Sequence, residues 1–227
     1  MLRILISLLV TIFFQFCSSF TSFPTEVVGK GKPTPFKKEL AKSKIVFKKI
    51  KFADWEVDRK GLINLDDEKS IKAGLKSGDE PIQIYAYILK HPEHGNFLID
   101  SGIASAFRKD TSEWPVSSLV KLFMNMEKLK IHLTTKEFID SEKLSLNGIF
   151  LTHLHVDHIM GVSDIPLTVP VYTGPGEPKT KTFDNIFAQG TIDNLLGEKR
   201  TLYQLNFPSI DRNLDIKIID FFEDGSL

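Results

Sequence analysis

"FLTHLHVDHIMG", residues 150–161, places three histidines and an aspartate within six consecutive positions. The whole chain has only six histidines, so half of them lie in this short stretch. The segment "LNGIFL" (146–151) just before it is mostly apolar and of strand length, which predicts a buried strand. We therefore predict a functional site where that strand ends, built from imidazole and carboxylate groups.

The spacing of these residues suits a metal ion. In an extended segment, residues two apart point the same way, so His153 and His155 share a face at the strand end. Asp157 and His158 follow after the chain has begun to turn, so they can reach a second point nearby. Nitrogen and oxygen ligands without sulfur suit Zn²⁺, with Fe, Mn and Co as alternatives.

The motif and its context resemble a known family. "THLHVDH" (152–158) resembles the His-x-His-x-Asp-His signature of the metallo-β-lactamase superfamily of metallohydrolases. "NFLIDSG" (96–102) is similar to an earlier strand of that family, and "VPVYTGPGE" (169–177) to the strand that follows the signature. The resemblance implies an α+β fold, a four-layer αββα sandwich, over residues 43–227. Among the family, the lactonase-like members look most similar.

The resemblance also implies roles for individual residues. His153 and His155 would bind a first metal ion, and Asp157 and His158 a second one. Asp100 would support the metal site from the preceding strand without binding the metal. A metal-bound hydroxide would attack an ester, lactone, thioester or amide-like bond of a small-molecule substrate, and Asp157 would orient it as a catalytic residue.

Part of the usual ligand set of this family is missing from the sequence. The family completes its site with a histidine in a Gly-His turn, a bridging aspartate and a last histidine. No histidine follows His158, and "FFEDGSL" (221–227) resembles the beginning of the strand that leads into the Gly-His turn. We therefore expect the first half of a family domain, poorly soluble and with little turnover on its own. The alternative is a non-catalytic truncated remnant of such an enzyme, attached to the cell envelope.

The first twenty residues, "MLRILISLLVTIFFQFCSSF", have the order of an export signal: an arginine, an apolar run and small polar residues. The run from Ile4 to Phe16 is shorter than the roughly 20 residues that span a bilayer. Cys17, the only cysteine, lies where lipoprotein signals place the lipidated residue. Lipidation, plain cleavage and an uncleaved anchor stay open. Each predicts an exported protein in the periplasm or cell envelope, attached to a membrane only through this segment.

Composition places the chain among globular proteins and argues against a nucleic-acid partner. Its 42% hydrophobic and 26% charged residues are ordinary for a folded protein, and its formal net charge is zero. Nucleic-acid binding needs a basic patch, whereas the lysine-rich stretch 37–51 alternates with apolar residues like a solvated strand face. Residues 21–42, with three prolines, predict an exposed tether before a single domain at 43–227.

The remaining patterns predict a mixture of strands and helices. Two segments alternate as strands do: "KIVFKKIKF" (44–52) and "IQIYAYILKH" (82–91). Apolar residues at helical spacing predict one amphipathic helix over 112–130, and "TTKE" is a capping box that opens a second helix, 134–141. His91 and His94 flank a turn, so we interpret them as solvent-exposed loop residues.

Overall fold

The computed structural model describes residues 21–29, 31–33, 44–179, 188–207 and 217–226. Its strands are β1 (Thr25–Val28), β2 (Lys32–Pro33), β3 (Val46–Asp58), β4 (Asp79–His91), β5 (Gly95–Ile99), β6 (Lys130–Ile131), β7 (Leu146–Leu151), β8 (Val171–Thr173), β9 (Leu202–Leu205) and β10 (Ile219–Asp220). Its α-helices are α1 (Glu68–Lys72), α2 (Ser118–Phe123), α3 (Thr135–Ser141), α4 (Val156–Ile159) and α5 (Gln189–Leu196). No helix in these ranges is long and apolar enough to cross a membrane. The predicted export signal, residues 1–20, lies outside the described residues.

Eight of the strands form one mixed sheet, in the order β1-β9-β8-β7-β5-β4-β3-β6. β3 and β4 have 13 residues each and pair antiparallel, and β5 returns beside β4 as the second arm of a hairpin. β5, β7, β8 and β9 then run parallel to one another. Because the carboxyl ends of parallel strands meet at one edge of a sheet, the segments that follow β5 and β7 lie side by side.

One face of this sheet is covered by helices. Successive strand residues point to opposite faces. Those on the helix side are buried and apolar, among them Phe52, Ile84, Ile88, Leu98, Ile149 and Val171. The helices α3, α4 and α5 pack buried apolar side chains against them: Phe138, Val156, Ile192 and Leu195. Full burial of one such side chain stabilises the folded state by roughly 1.5–3 kcal/mol. Because this layer contains the larger cluster of buried apolar side chains, it is the main core.

The opposite face is aromatic and carries a second, small sheet. β2 and β10 pair antiparallel. Directly after β10, the ring of Phe221 packs against Phe150 and Tyr172, with centroids 4.8 and 5.0 Å apart. The described residues thus supply three layers, of helices, large sheet and small sheet. The predicted α+β class is confirmed, and these layers correspond to three of the four in the predicted αββα sandwich.

The predicted helix over 112–130 is wrong as a single element. The structure has a 3-10 turn at Thr111–Glu113, the six-residue α2, and another 3-10 turn at Met126–Lys128. The break comes at Asn125, which has a left-handed φ of 49°. Its carbonyl accepts a hydrogen bond of 3.2 Å from the indole of Trp55. Helical spacing did not identify a continuous buried face, since Val116 and Met126 are buried but Leu119 and Phe123 are exposed. The tertiary hydrogen bond holds Asn125, two residues beyond the end of α2.

The shorter helix predicted over 134–141 is confirmed as α3. The Thr134 hydroxyl accepts a hydrogen bond of 3.2 Å from the Glu137 N–H. In return, the Glu137 carboxylate accepts one of 2.8 Å from the Thr134 N–H. This capping box joins residues three positions apart, so its signal is local and readable in the sequence.

The expectation of an exposed tether is wrong for residues 21–28. Thr25–Val28 form β1, which pairs in parallel with β9 at one end of the sheet. Before this strand, the hydroxyls of Thr21 and Ser22 both donate hydrogen bonds to the carboxylate of Asp193 in α5. Pairing with a strand far along the chain cannot be recognised from local composition. The prolines of this region therefore led to the wrong prediction.

Candidate metal centre

The four residues of the predicted centre lie together at the carboxyl edge of the sheet. The chain leaves β7 and turns into α4, a single helical turn. The ring centroid of His153 lies 4.3 Å from that of His155 and 4.0 Å from that of His158. Asp157 belongs to the same turn, with its Oδ2 3.3 Å from Nε2 of His158. The structure therefore brings three imidazoles and one carboxylate together in a cluster at the start of α4, with close approaches between pairs of them rather than three ligand atoms within 4.8 Å of one another.

Asp100 reaches this cluster from the end of β5. Its φ of 58° is left-handed, a conformation that residues other than glycine seldom adopt. Its Oδ1 accepts hydrogen bonds from the N–H and the hydroxyl of Thr152, each of 2.9 Å. Its Oδ2 lies 2.8 Å from Nδ1 of His158. These hydrogen bonds hold an unusual backbone conformation in place, as is common at functional sites.

The hydrogen bonds around Thr152 determine which ring nitrogens are available to a metal. The Thr152 hydroxyl donates its proton to the Asp100 carboxylate, because an ionised carboxylate only accepts. Its oxygen therefore accepts from Nδ1 of His153, 3.1 Å away, so a neutral His153 carries its proton on Nδ1. Nδ1 of His158 likewise donates to Asp100. In both rings Nε2 is therefore the nitrogen that remains for a metal ion, although in His158 this atom also lies 3.3 Å from Oδ2 of Asp157.

Burial and neighbouring charges shift the pKa values of the cluster apart. Burial, together with the charges of His158 and His155, lowers the pKa of His153 to about 4. This imidazole is therefore uncharged at neutral pH and has a lone pair to donate. Burial also disfavours the charged form of His158, but hydrogen bonds to Asp100 and Asp157 outweigh it and raise the pKa of His158 to about 10. A metal ion that binds His158 must therefore displace a proton.

Asp157 stays ionised at neutral pH. Burial acts to raise the pKa of its carboxyl group, but the hydrogen bond to His158 and the charge of that ring lower the pKa below its ordinary value overall. The result is an anionic oxygen beside three imidazoles. Such a group can bind a cation and can accept a hydrogen bond from water.

Two small residues that the sequence analysis did not assign hold α4 against the end of β5. The N–H and the hydroxyl of Ser101 both donate to the carbonyl oxygen of His158, at 3.0 and 2.8 Å. The Ser101 oxygen in turn accepts a hydrogen bond of 3.0 Å from the N–H of Gly161. The Gly161 backbone passes so close to Ser101 that a side chain has no room there. Their position was the available signal in the sequence, since Ser101 directly follows Asp100 and Gly161 lies three residues after His158.

The family of the protein follows from its match to a family model. The model described as "Metallo-beta-lactamase superfamily" matches residues 79–224, well over half of the chain. The chain belongs to the metallo-β-lactamase superfamily. The matched region contains Asp100 and the whole cluster from His153 to His158. The predicted membership is thereby confirmed.

Individual relatives of this metallo-β-lactamase superfamily member are distant. A hydroxyacylglutathione hydrolase of Buchnera aphidicola is 40% identical over 60 residues, which are 26% of this chain and 24% of the relative. A structure described as a "probable metal-dependent hydrolase" from Staphylococcus aureus is 12% identical and has a TM-score of 0.53. The matched region covers 77% of this chain and 63% of the Staphylococcus aureus chain. The structure of a quorum-quenching N-acyl homoserine lactone lactonase is 15% identical and has a TM-score of 0.47. The matched region covers 74% of this chain and 59% of the lactonase chain. The chain thus spans less than two thirds of the length of each relative.

The surroundings of a second pair of histidines, His91 and His94, show that one prediction for this superfamily member was wrong. His91, predicted to be solvent-exposed, is only 6% exposed, because Phe222 packs beside the rings of His91 and His94. With Asp224 the pair offers three ligand atoms within 4.8 Å of one another. However, Nδ1 of His91 accepts hydrogen bonds of 3.1 Å from the N–H groups of Glu93 and His94. The proton of the neutral ring is therefore on Nε2, 3.0 Å from Asp224, so His91 donates a hydrogen bond there instead of a lone pair.

Proposed function

We propose that this superfamily member is a zinc-dependent hydrolase that cleaves an ester, lactone, thioester or amide-like bond in a small-molecule substrate. One observation carries the proposal: hydrogen bonds at Nδ1 of His153 and His158 leave Nε2 of each ring as the metal-binding nitrogen. Membership of the metallo-β-lactamase superfamily supports metal-dependent hydrolysis in general. Zinc and the type of bond are our inference from the donor set and the resemblance.

The donor set of the cluster suits zinc. His153 and His155 would hold one ion, and Asp157 with His158 a second. All four offer nitrogen or oxygen, which Zn²⁺ accepts readily and which Fe and Mn also accept. His153 donates its lone pair without losing a proton, whereas His158 releases one, so metal binding should strengthen as the pH rises. The carboxylate of Asp100 would keep the His158 ring in the ligating orientation.

Zinc, when bound, would polarise the carbonyl group of the substrate and lower the pKa of a water molecule towards neutrality. The residues of the chain supply orientation and charge. The ionised carboxylate of Asp157 can accept a hydrogen bond from the attacking water and so align it with the carbonyl carbon. Asp100 and Thr152 keep the neighbouring rings in fixed tautomers, so the charge of the cluster is set before the substrate arrives.

An acyl compound is the substrate class that we favour. The relative from Buchnera aphidicola is, by its name, a hydrolase of an acylated glutathione. The sequence motifs resemble lactonase-like members of the family, so a lactone is the second compound to test. Neither substrate needs a nucleic acid or a membrane partner.

This proposal predicts that hydrolysis depends on the metal. The protein expressed from its own gene and loaded with zinc should hydrolyse at least one of three probes, namely an aryl ester, an N-acyl homoserine lactone and an acylglutathione. Removal of zinc with a chelator should lower that rate at least about 100-fold, because the water then loses its activation. Addition of zinc should restore the rate. Zinc binding without turnover of any probe would instead support the non-catalytic remnant.

We also propose that the protein is exported through its first twenty residues. The apolar run from Ile4 to Phe16, between Arg3 and Cys17, supports a signal segment. Mass spectrometry of the protein from its own cells should show a new N-terminus after cleavage, a lipid on Cys17, or an intact segment in the membrane fraction. An intact Met1 on protein from the cytoplasmic fraction would contradict export.

A further inference from the structure

We propose that Glu177 is a positioning residue for the metal loop, which we define as residues 152–155; this inference rests on the proposed function. Leu154 lies between the two predicted ligands His153 and His155. Its backbone N–H donates a hydrogen bond of 3.3 Å to Oε2 of Glu177. The Glu177 carboxylate therefore holds the stretch of backbone from which both imidazoles extend.

The position of Leu154 explains why this hydrogen bond is needed. The side chain of Leu154 is fully buried in the helix-facing core. Because β7 ends at Leu151, the N–H of Leu154 lies beyond the hydrogen bonds of the sheet. A buried N–H without an acceptor costs about 1–3 kcal/mol. A carboxylate is a stronger acceptor than a neutral oxygen, so Glu177 suits this role.

Glu177 is itself held in place by the fold. It opens a 3-10 turn, Glu177–Lys179, that follows β8, and β8 pairs in parallel with β7. The turn therefore begins at the same edge of the sheet as the metal loop. The carbonyl of Pro178 accepts a hydrogen bond of 3.3 Å from the N–H of Thr21, and Thr21 is bound in turn to Asp193 of α5. The N-terminal segment and α5 thus brace the turn that carries Glu177.

Glu177 would act on the metal through the backbone of the loop. A loop that is already ordered binds zinc without first having to fix its two histidines, so the entropy cost of binding is smaller. Partners that orient metal ligands typically contribute 10–100-fold to metal affinity. Since Glu177 holds the backbone and not a ring, we expect an effect near the lower end of this range.

Glu177→Ala should lower zinc affinity about tenfold, measured by competition with a chelator of known affinity. Glu177→Gln keeps an oxygen that can accept from Leu154, so its affinity should stay within about threefold of wild type. Glu198→Ala removes an exposed carboxylate outside the loop and is the matched control. Wild-type affinity in Glu177→Ala, or an equal loss in Glu177→Gln, would overturn the positioning role.

Hydrogen exchange of the Leu154 amide, measured in the metal-free protein, separates this inference from the proposed function. The amide should exchange at least about tenfold faster in Glu177→Ala than in wild type or Glu177→Gln, because it has lost its acceptor. Unchanged exchange would overturn the role of Glu177 even in an active hydrolase. Faster exchange in a protein whose wild type binds no zinc would support the hydrogen bond and overturn the proposed function.

Discussion

Replacement of His155 by alanine should lower the affinity of the protein for zinc by more than about 100-fold. Loss of a partner that merely orients a ligand costs 10–100-fold, and this change removes a predicted ligand itself. His155 is the N-cap residue of α4, but its side chain makes no capping hydrogen bond to that helix. The substitution therefore removes no capping hydrogen bond from α4. Zinc content after dialysis, measured by atomic emission, then reports on the metal site.

His132→Ala is the matched control for this experiment. It removes an imidazole outside the cluster, whose Nε2 lies 2.6 Å from Oδ2 of Asp54 on the protein surface. An exposed pair of this kind contributes little to stability, so zinc content and fold should equal those of wild type. Equal zinc content in His155→Ala and in wild type would remove the histidine cluster from metal binding.

Gly161→Ala should lower the free energy of unfolding by about 3 kcal/mol or more, because the added methyl group has no space. The φ of Gly161 is −95°, which any residue adopts, so backbone strain is not the cause. The new Cβ would overlap the carbonyl oxygen of Ser101 and the hydroxyl of Thr135, which are hydrogen-bonded to each other. Relief of this overlap requires α4 to move away from β5, and Asp157 and His158 would move with it.

Gly190→Ala tests the same substitution where space is available. Gly190 lies in α5, and a Cβ built there meets nothing within 4 Å. Alanine is favoured over glycine in a helix by roughly 0.5–1 kcal/mol, so this variant should be stabilised. Chemical denaturation followed by circular dichroism measures both variants. A Gly161→Ala protein as stable as wild type would contradict the close approach of the two segments.

A second variant keeps this prediction testable if Gly161→Ala does not accumulate in soluble form. Ser101→Ala deletes the hydroxyl that bonds to the His158 carbonyl and to the Gly161 N–H. The loss of these bonds should cost about 1 kcal/mol. Unchanged stability of Ser101→Ala would show that this contact contributes little to holding α4 in place.

The proximity of four side chains of the candidate site was predictable from the sequence because their spacing is local. His153, His155, Asp157 and His158 occupy one strand end and one helical turn, so the chain cannot carry them far apart. The capping box at Thr134 was readable for the same reason. The role of Asp100 was predicted only from the resemblance to a known family. Nothing in the sequence near Asp100 indicates contact with a histidine far along the chain.

Features that depend on distant segments were mispredicted or missed. The helix predicted over 112–130 is interrupted at Asn125, whose carbonyl accepts a hydrogen bond from the indole of Trp55 in β3. Residues 25–28 form a strand because their backbone pairs in parallel with β9. His91 is buried because Phe222 packs against it from the far end of the described chain. None of these contacts involves neighbours in sequence, so no local pattern could indicate them.

The sequence by itself determined which groups form the candidate centre, and the tertiary structure decided their chemical state. Burial makes His153 neutral, and burial exists only once the sheet and helices have packed. His158 holds its proton because Asp100 lies 2.8 Å from its Nδ1. Asp100 arrives there because β5 and β7 pair in parallel, which brings their carboxyl ends to one edge. Ionisation and tautomer depend on distances and solvent exclusion, and only the folded chain defines these.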